Sequence, residues 1–387
     1  MSESLVDVIV SLDTGVTLSK AFWMAWPDGK PKMLVMAPEL IEVKQSDILD
    51  FGLAGGSPAA NAVVILKNGR CLAFGEKARD MRGKPPVGLS KYEPAVYKAL
   101  AVVGSIAQLL ELSSNFRLGL SAVLPYSEYQ DHERFQELLR EHLAEFTFLG
   151  QHYCVALDLL DVKPEGAGLG LIRREDDKLA FANSNVTVVM LGQRDASLLP
   201  FKKGFPQVGT SVRLGFNQFL DAVKMRAALN LEPADEALLP ELVFRGQSEA
   251  KCIERIARMA VSPFELESKL AQINEALAAC QEKYWTELSD WLSSSLGQSF
   301  YQLNEVVVSG GAALYFRPQI EKFFSDEKIA ISWAAGLDSH ISSLLRHEVD
   351  AALSFRLADA FGLFKLLGGK AKRMESSLTM ASNGGSK

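Results

Sequence analysis

Apolar residues along this chain fall into two patterns: short unbroken runs, and longer stretches that repeat every three or four positions, the signatures of strands and of helices. VDVIVSL at residues 6–12 is a run of the kind a buried strand needs, and a second begins at residues 19–26 after a polar, glycine-containing turn. Mixed short strands continue to about residue 92, among them VVILKNGRCLAF, where Asn68-Gly69 is a hairpin dipeptide. The spacing then predicts a helix over 92–112, a strand at RLGLSAVL and, after Pro125, a charged amphipathic helix over about 128–146 with Phe135, Leu138, Leu139 and Leu143 on one face. FTFLGQHYCVALDLLDV is a further strand region, and it ends at the loop KPEGAGLG.

The second half begins again in the same order. VTVVM at 186–190 is a strand, LGQR at 191–194 a turn and 196–201 the returning strand, so that Gly15 and Gly192 each stand just past an apolar strand, 177 positions apart. The offset points to duplication. Residues 228–260 carry no clear assignment. After Pro263, Leu270, Ile273, Leu277, Tyr284, Leu288 and Trp291 recur at spacings of three, four or seven and predict a long helix. EVVVS runs into Gly310-Gly311 and a helix ALYFRPQIEKFF, and a last helix carries ALSFRLADAFGLFKLL. From residue 368 the chain is polar and rich in small residues, and a disordered tail is expected over 368–387.

Length and charge narrow the classes. At 387 residues two domains are expected, and 48% hydrophobic with 23% charged residues is ordinary for a soluble globular chain. The net charge of -6, with no basic domain, argues against direct nucleic-acid binding. Cys71, Cys154, Cys252 and Cys280 are widely spaced and form no CxxC pair, so they are expected as reduced core residues. The N-terminus lacks a basic region and no window offers about 18 uninterrupted apolar residues, so neither secretion nor a membrane partner is expected and the cytoplasm is the expected location.

Four segments carry candidate chemistry. In DTGVTLSK, Asp13 ends a strand, Gly15 permits a tight turn, the amides of Val16, Thr17 and Leu18 can point at phosphate oxygens, and Lys20 adds a charge; Asp13 can hold the water shell of Mg2+. An ordinary hairpin with a surface aspartate and lysine would read the same. Gly310, Gly311 and Ala312 stand where a strand turns into a helix, either to admit a ligand's phosphates or simply to pack a tight connection. Glu165, held between Pro164 and Gly166, can polarise a water, or it is a solvated turn residue. Gly192, Gln193 and Arg194 form the fourth turn.

Taken in order, these segments resemble the actin superfamily, to which sugar kinases and the large heat-shock ATPases also belong. Asp13, Gly15 and Lys20 match its first phosphate motif, DxGxxxxK; Gly310-Gly311 matches its adenosine motif, and LADAFGL at 357–363 resembles the connecting helix. Within it the ParM and StbA group is most similar: its loop VxPEGxGA supplies a catalytic glutamate, and VKPEGAGL places Glu165 there. GLSAVLPYSEYQDHERF and GEKARDMRGKPPVGLSKYEPAVYKAL resemble two further passages of that group, and the likeness covers most of 6–366.

The resemblance implies a duplicated two-domain α/β fold, actin-type and ribonuclease H-like, with a nucleotide cleft between the domains. The first domain would span 1–184, with a small subdomain at about 35–92, completed by a helix at about 351–367. The second would span 185–350, with a subdomain at about 210–300. It further implies ATP (or GTP) with Mg2+, catalytic roles for Glu165 and Asp13, head-to-tail self-association into filaments, and a DNA-binding adaptor that links them to plasmid DNA or other cargo. One motif departs. Where the family reads DxGxxTxD this chain has Met190-Leu191-Gly192-Gln193-Arg194-Asp195-Ala196-Ser197, and a thioether is a poor partner for hydrated magnesium. Arg194 would then meet phosphate directly, with Asp195 a partial replacement for the lost carboxylate, and hydrolysis is expected to be slow. A weakly hydrolysing regulator or scaffold is the alternative, and a small-molecule kinase of the same superfamily is a third reading.

Overall fold

The computed structural model describes residues 4–49, 56–86 and 92–384. Two compact units emerge: one holds the chain up to Ala180 and again from Ala334 onward, the other is Phe181–Trp333. The chain returns to the first unit at residue 334, where the helix Leu337–Leu345 packs along the C-terminal helix Ala351–Gly384.

The first unit is built on a sheet whose strands are β1 (Val8–Thr14), β2 (Ser19–Ala25), β3 (Lys32–Met36), β4 (Leu40–Val43), β5 (Val63–Leu66), β6 (Cys71–Phe74), β7 (Asn115–Leu124), β8 (Phe146–Phe148) and β9 (Gln151–Pro164). Their order is β3-β2-β1-β7-β9-β8-β5-β6-β4, with β1, β7 and β9 parallel and β2 and β3 antiparallel at one edge. All seven residues of β1 are buried, which is why its sequence reads as a run and not as an alternation. Val8, Val10 and Leu12 join the core that holds Ala99, Val102, Val103 and Ile106 of the helix Tyr92–Leu109. On the opposite face Ser11 donates to the Ala360 carbonyl of the C-terminal helix at 2.7 Å, and Phe22 of β2 packs on Phe361 with ring centroids 4.9 Å apart. Asp13 shares the Ser11 face by the strand period of two. Asn68-Gly69 turns the β5–β6 hairpin as expected, Gly69 at φ 84°.

The second unit has β10 (Asn185–Leu191), β11 (Ala196–Lys202), β12 (Phe205–Pro206), β13 (Thr210–Val212), β14 (Glu305–Ser309) and β15 (Ala330–Trp333), in the order β12-β11-β10-β14-β15 with β13 against β11. Between β13 and β14 the chain is helical, including the long helix Leu266–Leu296. The unassigned stretch 228–260 holds three helices, Pro233–Glu236, Leu239–Gly246 and Ala250–Ala260, the last burying Cys252, Ile253, Ile256 and Ala257 on one side. The helix expected from ALYFRPQIEKFF is broken at Phe316 into Gly311–Tyr315 and Arg317–Asp326, because Pro318 has no N–H to continue a helical turn and fits only a first turn.

Three further expectations change. The helix over 128–146 divides into Tyr126–Tyr129 and His132–Leu143. Cys154 is only partly buried, whereas Cys71, Cys252 and Cys280 are core residues, and all four are free. The expected disordered tail is helix as far as Gly384. The pair Gly368-Gly369 reads as a helix stop, but Gly368 lies against Ile9 and Trp26, where a Cβ would meet them at 3.5 and 3.6 Å. The helix continues, and Glu375 accepts hydrogen bonds from Trp26 Nε1 at 2.8 Å and the Leu5 N–H at 2.9 Å. Of the tail only residues 385–387 lie outside the described residues, as do residues 87–91 in the passage leading to Tyr92.

Candidate functional site

In the first unit β1 and β2 pair in a register that sets Asp13 opposite Lys20 and Thr14 opposite Ser19, leaving Gly15, Val16, Thr17 and Leu18 as a four-residue turn. A Cβ on Gly15 would stand 2.8 Å from the Leu18 carbonyl oxygen, so the turn closes this tightly only with glycine there. The Lys20 ammonium lies 2.5 Å from Asp13 Oδ2 and donates to the Arg356 carbonyl at 3.1 Å. Arg356 in turn donates from Nη2 to Thr17 Oγ1 at 3.0 Å. Lys20 and Arg356 thus meet the turn together with Asp13.

Glu165 follows β9, where Leu124 of β7 pairs with Pro164. Its N–H continues that ladder onto the Leu124 carbonyl at 2.8 Å. Gly166 turns the chain in the left-handed region at φ 89° and begins the helix Ala167–Asp176. Asp359, on the C-terminal helix and 2% exposed, accepts from the Gly166 N–H at 2.9 Å and the Leu169 N–H at 3.4 Å. Burial pushes this carboxyl up to about 7; the Gly166 hydrogen bond opposes the rise and the charges of Asp13 and Glu165 add to it.

The second unit repeats the hairpin. β10 and β11 set Met190 opposite Ser197 and Leu191 opposite Ala196, leaving residues 192–195 as the turn. Position for position Met190 stands as Asp13 does, Gly192 as Gly15 and Ser197 as Lys20. Arg194 and Asp195 are both 8% exposed at the side chain and pair with each other at 2.7 Å. The backbone of this turn is engaged by the helix Phe216–Arg226: its Phe216 and Asn217 amides donate to the carbonyls of Gly192 and Gln193 at 3.0 and 2.9 Å, and the Gln193 and Asn217 side chains are hydrogen bonded. A Cβ on Gly215 would be 2.4 Å from the Gln193 oxygen, so this close seating depends on a glycine that no local sequence pattern singles out. Gly310 at φ 95° lies on the end of β10, where a Cβ would meet the Leu191 oxygen at 2.3 Å. Gly311 opens the helix Gly311–Tyr315, with Ala312 buried.

Solved structures match nearly the full length of this chain. An apo ParM protein of psk41 superposes over 94% of this chain and 99% of its own with a TM-score of 0.58 and 11% identity. The archaeal actin homologue Ta0583 in complex with ADP covers 95% and 99% (TM-score 0.57, 14% identity), and a 15-stranded ParM filament from Clostridium botulinum covers 94% and 99% (0.58, 11%). The chain has the actin-type fold of the ParM proteins. No protein-family model and no curated protein sequence matches it.

On this fold the structure brings Asp13, Thr17 and Lys20 together with Arg356, and ties the Glu165 loop to Asp359; it joins the turn after Met190 to Gly310 through Leu191. Arg356 and Asp359 were not singled out by sequence. Each is one polar residue in the apolar pattern of the last helix, and that interruption was the available signal. Among the described residues no three His, Cys, Asp or Glu side chains gather into a direct metal cage, and no helix is long and apolar enough to cross a membrane.

Proposed function

We propose that this chain is an actin-like protein that binds a nucleoside triphosphate, ATP or GTP, assembles with further copies of itself into filaments, and releases phosphate slowly. The observation that carries this reading is the repeated hairpin: Asp13 opposite Lys20 and Met190 opposite Ser197, each pair followed by a four-residue turn opened by glycine, on an actin-type fold. The archaeal homologue crystallised with ADP and the ParM filament support nucleotide binding and self-assembly.

The donor set suits such a ligand. The amides of residues 15–18 with Lys20 and Arg356 favour phosphate. Gly192, Gln193 and Arg194 form the second phosphate turn, and Gly310, Gly311 and Ala312 take the nucleoside side. Asp13 would hold a hydrated Mg2+ through water, and the ion would supply charge neutralisation at the phosphates. Glu165 polarises the attacking water. Cargo such as plasmid DNA is held through a DNA-binding adaptor.

A second reading, a weakly hydrolysing regulator or scaffold, is favoured by the make-up of the second turn: Met190 offers no carboxylate, and Asp195 is paired with Arg194. Light scattering and electron microscopy with ATP, GTP and slowly hydrolysed analogues test assembly, and phosphate release separates the two readings. Flat scattering at micromolar protein with every nucleotide would sink the filament.

A further inference from the structure

The helix Ala167–Asp176 starts without a cap of its own. Its N-cap is Gly166, which has no side chain to accept the amides of the first turn. The acceptor comes from Asp359, 193 residues further along the chain, which takes one N–H on each carboxyl oxygen. The contact is built for close approach. A Cβ on Gly168 would sit 2.2 Å from the Asp359 carbonyl oxygen, and one on Gly362 would sit 2.5 Å from the Gly168 carbonyl oxygen, so two glycines let the helices cross at the distance this carboxyl needs. Glu165 is the residue between two anchors: its own N–H is fixed to Leu124, and the next N–H in the chain is fixed to Asp359.

We propose that Asp359 is a positioning residue for Glu165, setting the loop geometry from the C-terminal helix without touching the reacting atoms. The proposal rests on the hydrolytic role given to Glu165 above. An acceptor is also what the first-turn amides of a helix lack, so the placement of Asp359 there serves the helix and the loop together.

Amide hydrogen exchange on the full-length, nucleotide-free protein reads the clamp without any turnover. Asp359→Ala is expected to speed exchange at Gly166 and Leu169 by about tenfold or more. Asp359→Asn keeps the side-chain shape and one acceptor oxygen, stays folded if the alanine variant does not, and is expected to speed one of the two. Unchanged protection of both amides in either folded variant overturns the proposal. Phosphate release reads the consequence: kcat is expected to fall about tenfold with KM within about twofold, and Asp359→Ala to add nothing to Glu165→Ala. Additive losses, or a raised KM with kcat intact, also overturn it. Equal turnover in the native protein and Glu165→Ala would instead remove the role given to Glu165, and the exchange measurement then decides alone whether Asp359 holds the loop.

Discussion

Asp359 and Gly166 are 193 residues apart in the chain and joined by a 2.9 Å hydrogen bond, the carboxylate accepting from the glycine N–H. The bond is made by a carboxyl that burial has pushed up from its ordinary 3.8 to about 7. The folded protein therefore holds this proton to a higher pH than the unfolded chain does. Its contribution to stability is complete below about pH 4 and is lost as the pH rises to about 7.

Unfolding free energies measured against pH for the native protein and Asp359→Asn isolate that contribution. Relative to the variant, the native protein is expected to lose a few kcal/mol of stability across the window and then to run parallel, since each tenfold difference in proton affinity between the folded and unfolded chain is worth about 1.4 kcal/mol. Curves parallel throughout would mean that Asp359 titrates as an ordinary carboxylate.

Glu165→Ala is expected to leave nucleotide affinity within about twofold and to slow phosphate release about tenfold or more, since a water-polarising group acts mainly in the transition state. Filaments formed with ATP should then last longer. Single-turnover phosphate release beside equilibrium nucleotide binding checks this, and an unchanged rate returns Glu165 to a turn residue.

Met190→Asp restores a carboxylate at the position that matches Asp13. The magnesium-dependent rate is expected to rise, with about 1.4 kcal/mol of barrier removed for each tenfold. Met190 is half-buried and faces Ser197 across the hairpin, so the circular dichroism melt of the variant must first match that of the native protein. A folded variant no faster than the native protein refutes a crippled second turn.

Gly310→Ala places a Cβ 2.3 Å from the Leu191 oxygen on a backbone at φ 95°. Both faults act together, and a loss of roughly 3 kcal/mol in stability is expected from strain and backbone displacement. Urea unfolding measures it. Gly69→Ala is the control, because Gly69 also has positive φ but nothing within 4 Å of a Cβ, and it should cost about 1 kcal/mol.

By itself the sequence determined the elements whose signal is local. The apolar runs of β1, β10 and β14, the glycines that open both turns, the long helix after Pro263 and the 177-residue offset between hairpins were all legible, because burial on both faces of a strand or on one face of a helix writes a periodic pattern. Tertiary structure decided the rest. That Lys20 lies on Asp13, that Arg194 is neutralised by Asp195, and that Gly215 seats a helix on the second turn depend on which residues meet across the fold, and no spacing in the chain encodes them. The tail is helical because Glu375 finds Trp26 and Leu5, an anchor in space that outweighs two glycines in sequence. Asp359 reads in the chain as one acid in an apolar helix; its role as the cap of a helix that begins with glycine exists only once residues 166 and 359 are brought together.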